Sequence, residues 1–246
     1  MNQNKQTAII TGASSGIGLD VTRGFLNQGW NVVMNSRSED KLESAARALD
    51  DAGKIATVVG DIGDPDTGTQ LVKAAIERFG RLDALINNAG IFGLKPFLQI
   101  EETDLDRYIN INLKGTYFVS QAVVSNFKAE GKGGNIVNIG TVLVSHPSAS
   151  LPASAALVTK GGVHALTTSL ASEFGGDNIR VNTVAPGVIR TPIYGDADID
   201  QLGQSALLGR AGEVSELTDA VLHLAQTSYI TGVMMPVDGG YVHGRA

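Results

Sequence analysis

The sequence predicts a single-domain α/β fold: a doubly wound parallel sheet of about seven strands, with helices on both faces, over residues 1–246. Three observations predict it. Short apolar runs alternate with longer segments of helical period, no Pro-, Gly- or Ser-rich linker divides them, and a glycine-rich turn follows the first run. Strands that alternate with helices pair in parallel, because a parallel connection needs a crossover. The chain is 43% hydrophobic and 18% charged, enough to bury a full-sized core.

In order, the run at 8–11 feeds the glycine-rich turn and a helix near 17–28. The run at 32–34 precedes a helix near 38–52, and that at 56–59 a helix near 66–79. The run at 84–86 leads to a long helical stretch near 102–130, and that at 135–139 to one at 153–175. In this last stretch Leu157, Val163, Leu166, Leu170 and Phe174 recur at mostly three- and four-residue intervals, which predicts one apolar face. A run at 179–184, a helix near 213–226 and a final run at 233–237 complete the pattern. Ligands of such sheets bind beyond the carboxyl ends of the strands, so function is expected in the turns after each run.

Composition narrows the function. Lys and Arg total 19 against 25 Asp and Glu, a net charge of −6 without a long basic block, which argues against nucleic acid as a partner. There is no Cys, so disulfides, thiolate metal sites and thiol catalysis are excluded. The four His residues show no paired ligand spacing and the acids do not cluster, so no metal is expected. Only a short apolar stretch lies near the start and no run approaches eighteen apolar residues, so the expectation is a cytoplasmic protein with no membrane partner. Glycine is abundant, at 30 residues, which points to turns of special geometry or to backbone lying against a ligand.

The turn Thr11-Gly12-Ala13-Ser14-Ser15-Gly16-Ile17-Gly18 joins the first strand to the first helix. Glycines there allow a tight turn and let a pyrophosphate rest on bare backbone N–H groups at a helix N-terminus. Its spacing is G-x-x-x-G-x-G rather than G-x-G-x-x-G. A plain tight turn is the competing reading, and the position between strand and helix counts against it.

Further motifs follow in order: Asp61-Ile62 after the third strand, Asn87-Asn88-Ala89-Gly90 after the fourth, and Asn112 within INLKGTYF. Lys160 lies in the helix after the fifth strand, Pro186-Gly187 and Thr191 follow the sixth, and Val237-Asp238-Gly239-Gly240 comes last. In this set the sequence resembles the short-chain dehydrogenases/reductases over nearly its whole length. The resemblance implies a Rossmann fold, a nicotinamide dinucleotide and hydride transfer to or from a carbonyl or alcohol. It implies cofactor contacts from Gly12, Ser14, Ser15, Gly16, Ile17 and Gly18 in the turn, and from Asp61 and Ile62 beside the adenine. Asn88, Ala89 and Gly90 would line the ribose side, Lys160 would hold ribose hydroxyls, and Pro186, Gly187, Ile189 and Thr191 would meet the nicotinamide.

An acid at the end of the second strand would bind a ribose 2′-OH and repel a 2′-phosphate. This chain has Asn35-Ser36-Arg37 instead. The Ser36 hydroxyl and the Arg37 guanidinium suit a phosphate, so NADP(H) is expected over NAD(H). Against this, Arg37 also reads as a solvated loop charge, and Ser15 stands where NADP-preferring relatives often carry a second basic residue.

At the catalytic end the pattern breaks. Relatives carry Tyr-x-x-x-Lys, whose members share a helix face, and the ammonium lowers the phenol pKa. Four residues before Lys160 stands Ala156. Thr141 takes the place of the family serine and keeps a hydroxyl, after which the loop is about two residues longer than usual. Three accounts stand open: another group supplies the proton, the chain is a non-catalytic dinucleotide-binding sensor or partner subunit, or Ala156 is a replacement made to trap a complex. A dehydratase or epimerase is a further alternative. His146, with an unperturbed pKa of about 6.5, leads the substitutes for the phenol, followed by Tyr194 and by Lys160 acting through water. The expected catalytic set is Asn112, Thr141, His146 and Lys160. By resemblance, Asn112 kinks its helix and holds a water that links Lys160 to solvent.

The acidic, glycine-interrupted segment near 192–210 reads as a substrate lid; its Asp196, Asp198 and Asp200 would disfavour an anionic substrate, but the safer reading is that they are solvated surface acids. Aromatic content of 5% and a site loop of small residues point to a small or flexible carbonyl or alcohol substrate. The resemblance also implies a homodimer or homotetramer paired through the helices at 102–130 and 153–175.

Overall fold

A computed structural model describes residues 5–244; positions 1–4 and 245–246 of the expected domain lie outside the described residues. Seven strands form one sheet: β1 (Thr7–Thr11), β2 (Asn31–Ser36), β3 (Ile55–Val59), β4 (Ala84–Asn87), β5 (Gly134–Ile139), β6 (Ile179–Pro186) and β7 (Met234–Val237). Their order is β3-β2-β1-β4-β5-β6-β7 and every pairing is parallel. The expected fold class is observed.

Alternation within buried strands sorts the core into two layers. Ala8 and Ile10 of β1 point to one face, covered by α1 (Gly16–Asn27), α2 (Glu39–Leu49) and α8 (Val214–Gln226) through Phe25, Leu42 and Val221. Ile9 points to the other, covered by α3 (Pro65–Phe79), α5 (Thr116–Glu130) and α6 (Ser154–Phe174) through Leu71, Val123 and Ala171. All five β1 residues are buried, so burial on both sides explains why this strand reads as a continuous apolar run. The chain direction reverses its winding between β1 and β4, and the two loops leaving their carboxyl ends lie side by side there.

Two helices differ from expectation. The stretch near 102–130 is not one regular helix: α4 (Glu102–Tyr108) passes through a π-helical segment, Ile109–Gly115, before α5 begins. On α6 the core-facing stripe is Ala155, Ala156, Thr159, Val163, Thr167 and Ala171, whereas Leu157, Leu166, Leu170 and Phe174 are only partly buried. Small side chains let α6 lie close to the sheet. The threonine hydroxyls bond back into the helix, Thr159 Oγ1 to the Ala156 carbonyl at 2.9 Å and Thr167 Oγ1 to that of Val163 at 2.9 Å. A volume-based pattern search selects the large residues and so misses this face. The segment at 192–210 holds a 3-10 turn, Pro192–Tyr194, and the short α7 (Ile199–Gly203).

Candidate active site

The turn after β1 is built so that backbone touches backbone. Gly12 and Gly16 have φ of +65° and +52°, values that L side chains rarely adopt. A Cβ on Gly12 would stand 2.8 Å from Asn88 Nδ2, and one on Gly18 would collide with the Gly12 carbonyl oxygen. Asn88 ties the two loops together: its Nδ2 donates to the carbonyls of Thr11 (2.9 Å) and Gly12 (3.1 Å). Thr11 Oγ1 in turn accepts from the N–H groups of Asn88 and Ala89. Ser15, at the N-cap of α1, is exposed and makes no side-chain cap, which leaves the first-turn N–H groups facing outward. This cradle fits a phosphate, which needs bare N–H donors and no Cβ in the way. Ile17 is half-buried against the core.

Ser14 Oγ donates to Ser36 Oγ at 3.0 Å, joining the turn to the end of β2. Arg37 is exposed and its guanidinium lies 3.6 Å from Asp61, whose other oxygen accepts from the Gly63 N–H at 2.9 Å. Ile62 is buried, packed where a Cβ on Gly115 would go, so it presents backbone rather than side chain to any ligand. Ile189 is likewise buried, and a bridge to Gly212 fixes it. Gly187 donates to the Val237 carbonyl at 3.0 Å beyond half-buried Pro186. Thr191 and Pro192 approach Gly16 to about 4 Å from its would-be Cβ, so the start of the 192–210 segment overhangs the glycine turn.

Between β4, β5 and α6 stands Lys160. Its Nζ donates to the Ile139 carbonyl at 2.6 Å, and burial pushes its pKa down to about 8. A Cβ on Gly90 would come within 3.3 Å of this nitrogen, so glycine at 90 keeps the ammonium open to the loop after β4. Asn112 lies within the π-helical segment, fully buried, and clamps that loop to α6. Its Oδ1 accepts from the Ile91 N–H at 2.8 Å, while Nδ2 donates to the Ile91 carbonyl (3.0 Å) and Thr159 Oγ1 (3.1 Å). The wide turn that the resemblance implied as a kink is present, and the Asn112 amide is committed to protein partners. Ala156 is buried on α6, one turn before Lys160.

Thr141 follows β5, where its Oγ1 accepts from the Leu143 N–H at 3.3 Å and its own proton is left to donate outward. His146 does not come to this site. It is exposed, and its Nδ1 lies 3.2 Å from Ser145 Oγ, because the 3-10 turn Val142–Val144 carries the chain outward. Tyr194 is half-buried, with its phenol pushed up by burial against an opposing hydrogen bond from Ile189. Two acids of the 192–210 segment have partners in the protein. Asp200 pairs with Arg190 at 2.5 Å, and Asp198 caps α7 by accepting from the Gln201 N–H. Among the described residues no three His, Cys, Asp or Glu side chains gather closely enough to hold a metal ion.

Two features went unread in the sequence. Beneath the site a buried polar ladder crosses the sheet: Asn87 Nδ2 donates to Ser120 Oγ and Asn138 Oδ1, Asn138 Nδ2 to Thr167 Oγ1, and Thr167 meets Thr183 at 2.8 Å. Asparagines inside apolar strands were the available signal. Beside Gly90 opens a cavity of about 360 Å³, lined by the loop after β4, by Tyr108 and Arg107 of α4, by Ala153 and Ala155, and by Ile193. Its lining comes from four separate stretches of chain, the loop after β4, α4, the start of α6 with the residue before it, and the turn at Ile193, and no local spacing announces it.

Comparison with known proteins agrees with this geometry. The family model described as short chain dehydrogenase matches residues 6–201. The chain is 35% identical over 249 residues to a 3-oxoacyl-[acyl-carrier-protein] reductase, FabG, of Thermotoga maritima, covering 98% of this chain and all of the relative. A short-chain type dehydrogenase/reductase from Mycobacterium marinum superposes with a TM-score of 0.90 at 31% identity, covering 96% of this chain and 95% of that one. The 3-ketoacyl-(acyl-carrier-protein) reductase of Brucella melitensis, solved with NADH, gives a TM-score of 0.89 at 31% identity over 96% of this chain and 98% of its own.

Proposed function

Because the chain belongs to the short-chain dehydrogenase family, we propose that it is an NADP(H)-dependent oxidoreductase acting on a small carbonyl or alcohol substrate, with an altered proton-transfer site in which Ala156 stands at the family's tyrosine position. The observation that carries this reading is Lys160, open over Gly90 beside a phosphate-sized glycine cradle and a cavity. A bound nicotinamide supplies or accepts the hydride. The turn N–H groups at Gly16 to Gly18 hold its pyrophosphate, with Asn88 fixing the turn. Ser36 and Arg37 take the 2′-phosphate, Asp61 and the Ile62 backbone border the adenine, and Asn88 to Gly90 border the ribose. The backbone from Pro186 to Ile189, with Thr191, borders the nicotinamide. Thr141 orients the substrate oxygen with its free hydroxyl proton. Lys160, with a pKa of about 8, gives or takes the proton near neutral pH, and Asn112 holds it in place through Thr159.

General acid–base catalysis supplies about 10²–10⁴-fold, and holding donor and acceptor together supplies more, so a site without the phenol retains turnover. NADPH consumption over a panel of aldehydes, ketones and diketones tests this. Slow turnover is expected, raised about 10²–10⁴-fold in Ala156→Tyr. NADPH binding without any turnover, with activity only in the variant, would instead make the chain a dinucleotide-binding sensor or partner subunit. Arg37→Ala should cut the preference for NADPH over NADH about tenfold, the worth of one charged hydrogen bond; an unchanged preference removes NADP(H) from the proposal. We further propose cytoplasmic location, lid action by 192–210, and a homodimer or homotetramer joined through α5 and α6. Exposed Tyr117 and Val158 on those helices support the assembly.

A further inference from the structure

The cavity beside Gly90 is lined by two kinds of side chain. Apolar ones come from Ile91, Phe92, Leu94, Ile100, Ala155 and Ile193. Polar ones come from Lys95 in the loop and from Asp104, Arg107 and Tyr108 of α4. Lys95 and Asp104 are paired with one another, and the Lys95 N–H donates to the Pro152 carbonyl at 2.8 Å, which fixes this end of the loop. Arg107 lies in no ion pair among the described residues, so its guanidinium donors are free, although Asp104 and Glu101 place negative charge near Arg107 and Lys95. The Tyr108 hydroxyl has no hydrogen-bond partner in the protein among the described residues. A Cβ on Gly93 would stand 3.0 Å from it, so glycine at 93 leaves the phenol room to reach the cavity. Burial raises the Tyr108 pKa, which keeps the hydroxyl a donor at neutral pH.

We propose that Arg107 and Tyr108 form a carboxylate subsite, so that the substrate is a short oxo- or hydroxy-acid whose carbon chain lies on the apolar wall. A guanidinium without an ion pair and a free O–H that line the same cavity offer donors to a carboxylate, and charge-assisted hydrogen bonds of this kind are the strong ones. Of the acids near 192–210, Asp200 is paired with Arg190, while Asp196 and the α7 cap Asp198 keep their charge on exposed positions. This inference rests on reading the cavity as the substrate's, and binding separates it from catalysis.

The test uses the full chain with saturating NADP⁺ and two probes, 4-oxopentanoate and its methyl ester, titrated by calorimetry and by saturation-transfer NMR. The acid should bind about tenfold more tightly than the ester. Arg107→Gln should abolish that preference and Tyr108→Phe should halve it or more, while Arg107→Lys retains most of it and NADPH affinity stays unchanged in all three. Equal binding of acid and ester, or a preference that survives Arg107→Gln with NADPH affinity intact, overturns the proposal. An acid preference that depends on Arg107, with no consumption of NADPH when it replaces NADP⁺ beside either ketone probe, upholds the subsite and counts against the proposed activity.

Discussion

The exits of β1 and β4 and the exits of β5 and β6 solve the same problem by different means. At the first pair, position is set by exclusion: Gly12 and Gly18 leave no room for a Cβ, and Asn88 locks one loop to the other. At the second pair, position is set by hydrogen bonds among exchangeable side chains, with Asn112, Thr159 and the Ile139 carbonyl arranging a single lysine. Steric constraints admit one residue type. Hydrogen-bond constraints admit several, and that half of the molecule is where Ala156 and Thr141 break the pattern expected from the sequence.

The sharpest way to break the comparison is Gly18→Ala. Its Cβ would overlap the Gly12 carbonyl, so stability should fall by about 3 kcal/mol and NADPH binding should be lost. Urea midpoints with a fluorescence titration check both, and near-normal affinity would show the turn to be pliant. Asn112→Ala should have a smaller effect, about 2 kcal/mol, because it leaves the Ile91 N–H and the Thr159 hydroxyl to find new partners. Its kcat should drop while NADPH affinity holds, since the cradle is not touched.

The subtlest effect is electrostatic. Lys160 titrates near 8 when folded and near 10.5 when unfolded. Between those values the unfolded chain holds a proton that the folded site has shed, so stability rises with pH across about 8 to 10. Below 8 both states are protonated and the gain is absent. Lys160→Met should remove this rise, read as urea midpoints at pH 7 and pH 9.5; parallel profiles for both proteins would mean that the ammonium is better solvated than its burial implies.

The same contrast explains what could be read from sequence. The alternation of strands and helices and the glycine turn between β1 and α1 were legible because local spacing and residue type carry the constraint. The inward face of α6 was misjudged because it is made of Ala and Thr, which volume-based periodicity ignores. His146 looked promising as a titratable side chain in the right loop, but the direction of the Val142–Val144 turn decides where it points, and that is a tertiary matter. The freedom of Asp198 and Asp200 was overstated for a similar reason: Arg190 is brought to Asp200 by the path of the chain after β6.

The ladder beneath the site has a kinetic meaning as well. Its links Asn87–Asn138, Asn138–Thr167 and Thr167–Thr183 span 51, 29 and 16 positions of chain. Until α6 docks, Asn138 and Thr183 face a nascent core with polar atoms unmet, and partial satisfaction is costly in such surroundings. Intermediates with β5 and β6 paired but α6 undocked are therefore penalised, and closure of the carboxyl half becomes all-or-none.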